Sequence, residues 1–524
     1  SPHMPLLRLQ TLLPFLRWLP HCSKRSLGKD LLVGLNGAIL ALPQSIAYAL
    51  IAGLPPQYGL YAAIVPVLIA CLWGSSSFLI CGPTAAISIV LFSSVSPMAT
   101  PGSDHFIALI LLLTLLAGVC QWLLGLLRFG ALVNFVSHSV VLGFTLGAAL
   151  VIGIGQLPNL LGLTVTSQAT ALTSLLSLGE HLAESDWRTL AVALFTLAIS
   201  LLCRRLWPRA PALLIGIVAA SLLVMAWPGQ LGHVALVSRF AGSLPPFALL
   251  EFNLTHILQL LPAAVACGLL GLVTSLSIAR ALADKSQQLF DANQEVRAQG
   301  LSNIIGPWFG GSLSAGSFTR SALNQQAGAC SPMAGVFAAL LVALFALYGS
   351  SLFAYVPIPA MAASILLICW GLFDLTAVKA LKRVSRSEFL VMLLTVLATL
   401  VLELQSAIYA GVLASLIVYL KRTSQPRVRQ WQDGEQEWLC IEGSIFFGAC
   451  HYLQQRLQRS GAAWVMIDAR HINFIDYAGV TMLHQEARRL HSQQRHLVLH
   501  HARPQVIDEI RKLEGPERCP VQFA

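Results

Sequence analysis

The sequence has 524 residues, of which 56% are hydrophobic and only 11% are charged, and its mean hydropathy is +0.71. Soluble domains carry about 25% charged residues, so this composition excludes a soluble protein and predicts a polytopic membrane protein. The net charge of +10 does not indicate nucleic-acid binding, because membrane proteins concentrate Lys and Arg in their cytoplasmic loops. We therefore expect a lipid bilayer, and no nucleic acid, as the environment of the chain.

Apolar runs long enough to cross a bilayer, or to enter it as broken helices, follow an interfacial N-terminal segment, 1–28. Together they predict an all-α transmembrane domain over 29–423, with about fourteen spans in two sets of seven. The predicted spans lie near residues 30–52, 58–74, 82–95, 106–127, 131–155, 189–206, 211–227, 255–282, 298–313, 316–329, 331–355, 358–373, 387–404 and 406–422.

The distribution of positive charge predicts the orientation of these spans. An even number of crossings puts both termini on one side, and sixteen Lys and Arg residues then fall on that side against two on the other. Because cytoplasmic loops carry the excess of positive charge, we expect both termini in the cytoplasm, with the protein in a bacterial inner membrane.

The third and tenth predicted spans are short and interrupted. The third begins with residues 81–88 (CGPTAAIS) and the tenth with residues 311–321 (GSLSAGSFTRS), at the same position in each half. Such a match indicates an inverted repeat, with two half-helices meeting near the bilayer midplane. Unpaired N–H groups at helix starts attract anions, so the segments predict an anion site to which Arg320 adds positive charge. The alternative is that Arg320 pairs with an acidic side chain and stabilises the fold.

The first predicted span contains Pro43, Gln44 and Ser45 within an otherwise apolar helix. A proline frees backbone groups, and the two polar side chains suit the wall of a polar cavity. A kink that serves only helix packing is the alternative. His138 is interpreted as a helix-end histidine rather than as a pH sensor.

The last part of the chain has a different composition. Residues 421–524 hold 25 charged side chains, whereas the 420 residues before them hold 31. Strands at 438–441, 463–468 and 496–500 alternate with helices at 449–459, 478–492 and 504–513, which predicts a small α/β domain over 438–524 after a linker, 424–437.

Several separated motifs carry a family resemblance. In chain order they are residues 43–49 (PQSIAYA), 54–61 (LPPQYGLY), 82–86 (GPTAA), 143–145 (GFT), 293–303 (NQEVRAQGLSN) and 316–321 (GSFTRS). Together they resemble the signature of the SulP anion transporters, the sulfate permease and prestin group. The resemblance implies a uracil-permease-like inverted repeat of seven plus seven spans, in which a core domain carries the substrate past a gate domain. It also implies a homodimer.

In that family the anion lies between the third and tenth spans. The resemblance implies substrate-binding roles for Gln44, Tyr48, Thr84, Ala85, Ala86, Thr274, Phe318, Thr319 and Arg320. Cation-coupled bacterial members usually have Glu or Asp where Thr274 stands, and a threonine at neutral pH only donates and accepts hydrogen bonds. We therefore expect weak or no proton or sodium coupling.

The tail carries a second resemblance. Residues 442–449 (EGSIFFGA) and 475–480 (IDYAGV) resemble the STAS domain, named for sulfate transporters and anti-sigma antagonists. In the antagonists an Asp-Ser-Ser-Gly loop is phosphorylated, but Tyr477 and Ala478 replace both serines, so we expect no such switch. Asp476 is expected to cap the following helix.

Enzymatic motifs are missing from the sequence: it has no G-x-S-x-G elbow, Walker loop, H-E-x-x-H or C-x-x-C pair. We expect no catalytic residues, no metal and no cofactor. The leading hypothesis is a secondary transporter of small anions, of the sulfate, bicarbonate, chloride or dicarboxylate class, that exchanges or facilitates by an elevator-like motion. A cytoplasmic STAS domain would aid assembly or regulation, and a cytoplasmic partner is a candidate ligand of that domain. The alternatives are a channel-like anion conductor and a STAS-bearing membrane sensor without transport.

Overall fold

The computed structural model describes residues 3–130, 137–164, 170–208, 210–237, 242–288, 290–402, 404–515 and 518–524. Backbone contacts divide the chain into two compact units, Ser1–Val412 and Leu413–Ala524. The division falls inside a helix that runs from Leu404 to Thr423, and each unit has its own hydrophobic core.

The first unit is helical apart from two strands of two residues each, β1 (Cys81–Gly82) and β2 (Ala315–Gly316). Its helices in the described residues are α1 (His3–Leu12), α2 (Lys24–Ile51), α3 (Pro56–Ala62), α4 (Val65–Trp73), α5 (Ala85–Val95), α6 (Asp104–Leu126), α7 (His138–Leu161), α8 (Ala171–His181), α9 (Trp187–Leu206), α10 (Ala212–Ala226), α11 (Pro228–Leu231), α12 (Leu254–Ser286), α13 (Ala292–Ile305), α14 (Phe318–Gln326), α15 (Met333–Tyr348), α16 (Ile358–Leu372), α17 (Leu375–Val384), α18 (Arg386–Val401) and α19 (Leu404–Thr423).

Each predicted span overlaps one of these helices, except the second, which is split. The ninth span, 298–313, extends beyond the end of α13, and the start of the fifth span, 131–136, lies outside the described residues. Residues 58–74 form α3 and α4, which separate at Ile64, where the backbone leaves the helical region. Pro66 at the start of α4 favours a helix beginning there. Seven helical stretches in the described residues are long and apolar enough to cross a membrane, and α5, α10 and α15 are shorter apolar helices. The number of fourteen crossings therefore stays a prediction.

The helices of the first unit pack as two bundles. In one, α2 packs on α15, α6 packs on α12 and α13, and α4 packs on α13 and α15; in the other, α7 packs on α16 and α18, and α9 packs on α10 and α16. The contacts are reciprocal between the halves of the chain: α6 with α13 is matched by α15 with α4, and α5 with α12 by α14 with α2. This reciprocity is expected of the predicted inverted repeat.

The second unit is a five-stranded sheet in the order β3 (Arg427–Asp433), β4 (Gln436–Glu442), β5 (Trp464–Asp468), β6 (His496–His500) and β7 (Gln522–Phe523). The pair β3–β4 is antiparallel and the other neighbours are parallel. Helices α20 (Phe447–Gln458), α21 (Tyr477–Ser492) and α22 (Pro504–Lys512) cover one face, where Leu453, Leu483 and Ile510 share a core with Ile467 and Leu499. The predicted α/β domain is confirmed.

The predicted linker, 424–437, requires a correction. Strand β3 and the first residues of β4 occupy most of it, joined by a turn at Gly434, which has a positive φ of 62°. The many polar residues of this segment resembled a linker because β3 is an edge strand whose side chains are mostly exposed, and an edge strand has no apolar alternation to reveal it.

Asp476 caps α21 as expected. One carboxylate oxygen accepts the Gly479 N–H at 2.8 Å, and the other accepts the Phe447 N–H at the start of α20 at 2.9 Å. The side chain therefore fixes the beginnings of two helices at once, a stronger structural role than the single cap that the sequence indicated.

Candidate anion-binding site

The two interrupted segments meet directly. Strand β1 leads towards α5 and strand β2 towards α14, and the strands pair antiparallel, with Cys81 opposite Gly316 and Gly82 opposite Ala315. Both strands are buried. The expectation that these segments face each other is confirmed, whereas their depth in a bilayer stays a prediction.

Side-chain and backbone hydrogen bonds hold the start of α14 against the chain before β1. The Ser317 N–H donates to the carbonyl of Ile80 at 2.9 Å, and the Ile80 N–H donates to the hydroxyl of Ser321 at 2.8 Å. One turn later, Asn324 donates its side-chain amide to the carbonyl of Phe78 at 3.2 Å. The serines of the GSFTRS motif therefore fix the position of the half-helix relative to the strand that it crosses.

The N-terminus of α5 presents unpaired backbone donors. The first helical hydrogen bond runs from the Ser88 N–H to the Thr84 carbonyl at 3.0 Å, so the N–H groups of Ala85, Ala86 and Ile87 have no acceptor within the helix. The Thr84 side chain makes no capping hydrogen bond to them. Donors of this kind, together with the positive end of the helix dipole, are suited to an anion.

A cavity of about 620 Å³ lies at this helix start. It brings together most of the predicted site residues, namely Gln44, Tyr48, Thr84, Ala85, Ala86 and Thr274. Ser317, the N-cap of α14, also lines it, so both half-helices contribute to its wall. The carboxamide oxygen of Gln44 is buried and has no hydrogen-bond partner among the described residues. The Thr274 hydroxyl donates to the Leu270 carbonyl at 2.8 Å, which leaves its oxygen lone pairs available.

Arg320 lies behind the crossing rather than in the wall of the cavity. Its side chain is 4% exposed and is not among the described residues that line the cavity. The guanidinium fills the space over Gly82, where a Cβ atom would stand 2.7 Å from Nη1. Among the described residues no carboxylate lies within 4.0 Å of it, and its Nε has no hydrogen-bond partner. The alternative in which Arg320 pairs with an acidic side chain therefore has no support in the described part of the chain.

Phe318 and Thr319 occupy the first turn of α14, beside Ser317. Their side chains lie outside the described residues, so their roles stay predictions.

The cavity lies between the two bundles. The first bundle contributes the site residues above, and the second contributes Val141 and Thr145 of α7, Leu213 of α10 and Ile368 of α16. The lining also includes His138 and Arg204, which are exposed at the first residue of α7 and near the end of α9. The cavity therefore opens to solvent where α7 begins and α9 ends.

The electrostatics of the cavity favour negative charge. Its described lining includes Arg204 and contains neither Asp nor Glu. In the described residues no group of three or more His, Cys, Asp and Glu side chains is arranged to hold a metal ion. The arrangement is chemically suited to receive a partly dehydrated anion through neutral hydrogen-bond donors, with fixed positive charge nearby.

One face of α13 carries functional residues to which the sequence analysis assigned no role. Glu295, Gln299 and Asn303 follow one another at a spacing of four residues and are all buried. Such a spacing puts them on one side of a helix. They come from the NQEVRAQGLSN motif, and polar residues at a spacing of four that run into the predicted span 298–313 were the signal that could have identified them.

These side chains hold β1 and β2 in place through hydrogen bonds. Asn303 accepts the Ser314 N–H at 2.8 Å and donates its amide to the Ser314 carbonyl at 3.1 Å, directly before β2. Gln299 donates to the sulfur of Cys81 in β1 at 2.6 Å, and Glu295 accepts the N–H groups of residues 75 and 76 at 2.8 and 3.0 Å. Helix α13 is therefore the support on which the two half-helices are aligned.

The fold and the cavity between its bundles define a multi-pass membrane protein of the anion-transporter class. Sequence comparison agrees: the model of the sulfate permease family matches residues 27–395, and the model of the STAS domain matches residues 438–517. The chain is 32% identical over 512 residues to the sodium-independent sulfate anion transporter of Bos taurus, covering 90% of this chain and 83% of the relative. It is 29% identical to the probable sulfate transporter 3.4 of Arabidopsis thaliana, covering 97% and 85%. The protein belongs to the sulfate permease family.

Solved structures show the same fold. The murine Solute Carrier 26 family member A9 anion transporter in the inward-facing state superposes with a TM-score of 0.90 at 22% identity, covering 99% of this chain and 93% of the murine chain. The transmembrane domain of the cyanobacterium bicarbonate transporter BicA gives a TM-score of 0.67 at 23% identity, covering 75% and 98%. The predicted fold class and family are both confirmed.

Proposed function

We propose that this protein carries a small anion across the membrane by alternating access, with the anion bound at the crossing of β1 and β2. The single observation that carries the proposal is the cavity into which the unpaired N–H groups of α5 and the N-cap Ser317 of α14 open. The proposed substrate-binding residues are Gln44, Tyr48, Thr84, Ala85, Ala86, Thr274, Phe318 and Thr319 by contact, and Arg320 by its charge.

The proposed motion is a displacement of one bundle against the other. The substrate site belongs to the bundle of α2, α5, α12 and α14, while α7, α10 and α16 form the facing wall. The cavity opens beside Arg204 and His138, on the side that the charge count assigns to the cytoplasm, so we interpret the conformation as inward-facing. An elevator-like movement of the first bundle would carry the site to the other side.

A second cavity favours alternating access over an open pore. It has a volume of about 560 Å³ and lies at the C-terminal ends of α2 and α7, lined by Leu50, Gln57, Gln156 and Asn159 among others. In the described residues the two cavities share no lining residue. Two cavities that do not join are expected of a carrier open to one side, whereas a continuous conductor would connect them.

Sulfate is the first substrate to test, because both curated relatives named above are described as sulfate transporters. Purified protein in proteoliposomes should take up labelled sulfate, and unlabelled anion on the opposite side should accelerate uptake. Bicarbonate, chloride, oxalate and succinate serve as competing anions. Uptake without acceleration from the opposite side would favour a channel-like conductor. Anion binding without uptake of any of the five would favour a membrane sensor.

Transport should be independent of proton and sodium gradients. The reason is that Thr274 places a hydroxyl, and no carboxylate, in the described lining of the cavity. A bovine relative is likewise named sodium-independent. We expect initial uptake rates to change less than about twofold when either gradient is collapsed by an ionophore. A strong dependence on one of them would contradict the role assigned to Thr274. The variant Thr274→Glu is the informative comparison, because it supplies the missing carboxylate.

For the whole protein we propose a homodimer in a bacterial inner membrane, with both termini and the STAS domain in the cytoplasm. The STAS domain would serve assembly or regulation, and a cytoplasmic partner of that domain is part of the proposal. The replacement of both serines by Tyr477 and Ala478 argues against serine phosphorylation in its loop. Mass photometry of the detergent-solubilised protein tests the dimer.

A further inference from the structure

Helix α17 is a short amphipathic helix that none of the functions above uses. It lies between the apolar helices α16 and α18, separated from them only by residues 373–374 and by Ser385. Its basic residues Lys379, Lys382 and Arg383 are all exposed, as is Arg386 at the start of α18. Because Lys382 and Arg383 lie three and four positions after Lys379, these three side chains form one stripe along α17.

The opposite side of α17 is packed on the second bundle. Ala377, Val378 and Leu381 contact a cluster formed by Leu142 and Leu146 of α7 together with apolar residues of α18. The helix is therefore a fixed part of that bundle rather than a loosely attached loop. The helices before and after it in the chain, α16 and α18, are both apolar. Helix α17 is therefore expected at the membrane boundary where these two helices end.

Large apolar side chains flank the basic stripe at the surface. Leu375 is 62% exposed and Val384 is 82% exposed, and Trp370 at the end of α16 is 72% exposed. In water such residues would be unfavourable, whereas a boundary between headgroups and acyl chains accepts both the apolar groups and the adjacent positive charge. Tryptophan is enriched at the same boundary.

The positive charge of the stripe is not neutralised within the described protein. No carboxylate lies within 4.0 Å of the four basic side chains in the described residues. The nearest acids along the chain are Asp374, the N-cap of α17, which accepts the Ala377 N–H at 3.0 Å, and Glu388 in the first turn of α18, which makes no ion pair within the described residues. The ammonium nitrogen of Lys382 lies 5.8 Å from the centroid of the Phe389 ring, and this contact leaves the ammonium group able to bind an anion.

We propose that α17 docks on anionic phospholipid headgroups of the leaflet on the predicted cytoplasmic side, and that this contact anchors the second bundle. A basic amphipathic helix is attracted to an anionic surface, each Lys or Arg near that surface adds to the attraction, and exposed apolar residues enter the interface.

The packing of α7 connects this surface to the anion cavity. Val141 and Thr145 line the cavity, while Leu142 and Leu146, the next residues along the helix, contact α17. A lipid-anchored α17 therefore holds the wall against which the first bundle would move. This part of the inference depends on the proposed transport function, whereas lipid binding itself does not.

Lipid binding can be measured without any transport. The full chain in mixed micelles is heated with increasing phosphatidylglycerol, or with phosphatidylcholine as the zwitterionic reference, because a lipid that binds the folded state raises the unfolding midpoint. We expect phosphatidylglycerol to stabilise the wild type. The variant K379Q/K382Q/R383Q should require on the order of 100-fold more phosphatidylglycerol for the same rise in the unfolding midpoint, because each Lys or Arg near the surface contributes about 1 kcal/mol.

Two further variants make the experiment specific. K24Q/R25Q/K29Q removes the same charge from the exposed start of α2 and should keep the phosphatidylglycerol response, and K379R/K382R/R383K should restore it. Equal losses in the two Gln variants would indicate general electrostatic attraction and would overturn the assignment to α17. An unchanged response in K379Q/K382Q/R383Q would overturn it as well.

Flux measurements separate this proposal from the proposed function. In proteoliposomes we expect labelled sulfate uptake to rise several-fold when phosphatidylglycerol is added to phosphatidylcholine, and to rise less in the α17 variant. Equal uptake in both lipid mixtures would refute the anchoring role while leaving transport intact. If no mixture supports uptake of any anion, the transport proposal fails, and the unfolding midpoints still decide whether α17 binds lipid.

Discussion

Replacing Arg320 with Gln should weaken anion affinity on the order of 10- to 100-fold without destabilising the protein. A unit charge roughly 8 Å from a bound anion contributes about 2 kcal/mol at an effective dielectric constant of about 20, and Arg320 lies one strand behind the cavity. No described carboxylate pairs with the guanidinium, so its removal leaves no buried acid without a partner. The concentration dependence of uptake gives the affinity, and thermal unfolding in detergent gives the stability.

Three variants act as controls for this result. Arg320→Lys keeps the charge and should retain most of the affinity, whereas Arg25→Gln removes an exposed charge at the start of α2 and should have little effect. Gly82→Ala keeps the charge but puts a Cβ atom 2.7 Å from Nη1, so the guanidinium must move and the affinity should fall. Normal affinity combined with a lowered unfolding midpoint in Arg320→Gln would mean that the arginine is structural.

Much of this architecture could be predicted from the sequence because its signals are local. Composition indicated a membrane protein, and the interrupted segments at 81–88 and 311–321 marked the half-helices because Gly, Ser and Pro break a continuous apolar pattern. In the second unit, the strands and helices from 438 to 512 were predicted to within about two residues, since alternation and helical periodicity were both present.

The remaining features depend on which distant residues meet. The position of Arg320 behind β1 follows from the small size of Gly82, a residue more than two hundred positions away in the chain. The sequence predicted Arg320 as a positive charge at the anion site, and its position relative to β1 depends on this distant contact. Strand β3 was missed for a related reason, since its partner β4, rather than its own pattern, makes it a strand.

Helix α13 shows most clearly that the role of a residue can depend on contacts with distant parts of the chain. The spacing of Glu295, Gln299 and Asn303 shows one helical face, yet nothing local indicates that this face meets β1 and β2. Only the packing of α13 on α4 and α6 brings the stripe to the crossing. Buried polar residues of a transporter can therefore be supports for the ligand site rather than ligands.

Replacing Asn303 with Ala should be the most destabilising of the changes considered, costing about 3 kcal/mol or more. The side chain accepts the Ser314 N–H, donates to the Ser314 carbonyl and donates to the amide oxygen of Gln121 at 2.8 Å. All of these groups are buried, and each one left without a partner costs about 1–3 kcal/mol. Because Ser314 precedes β2, transport should be lost together with stability.

Ser302→Ala provides the matched control for this last prediction. Ser302 is as buried as Asn303 and lies beside it on α13, but its hydroxyl donates only to the Gln299 carbonyl within the same helix, at 2.8 Å. Its loss should cost less than about 1 kcal/mol, because within the described residues no group of another element loses its partner. Thermal unfolding of the two variants in detergent, with sulfate uptake measured in parallel, compares a contact inside α13 with a contact to the crossing. Equal unfolding midpoints for Asn303→Ala and Ser302→Ala would show that α13 does not support the half-helices.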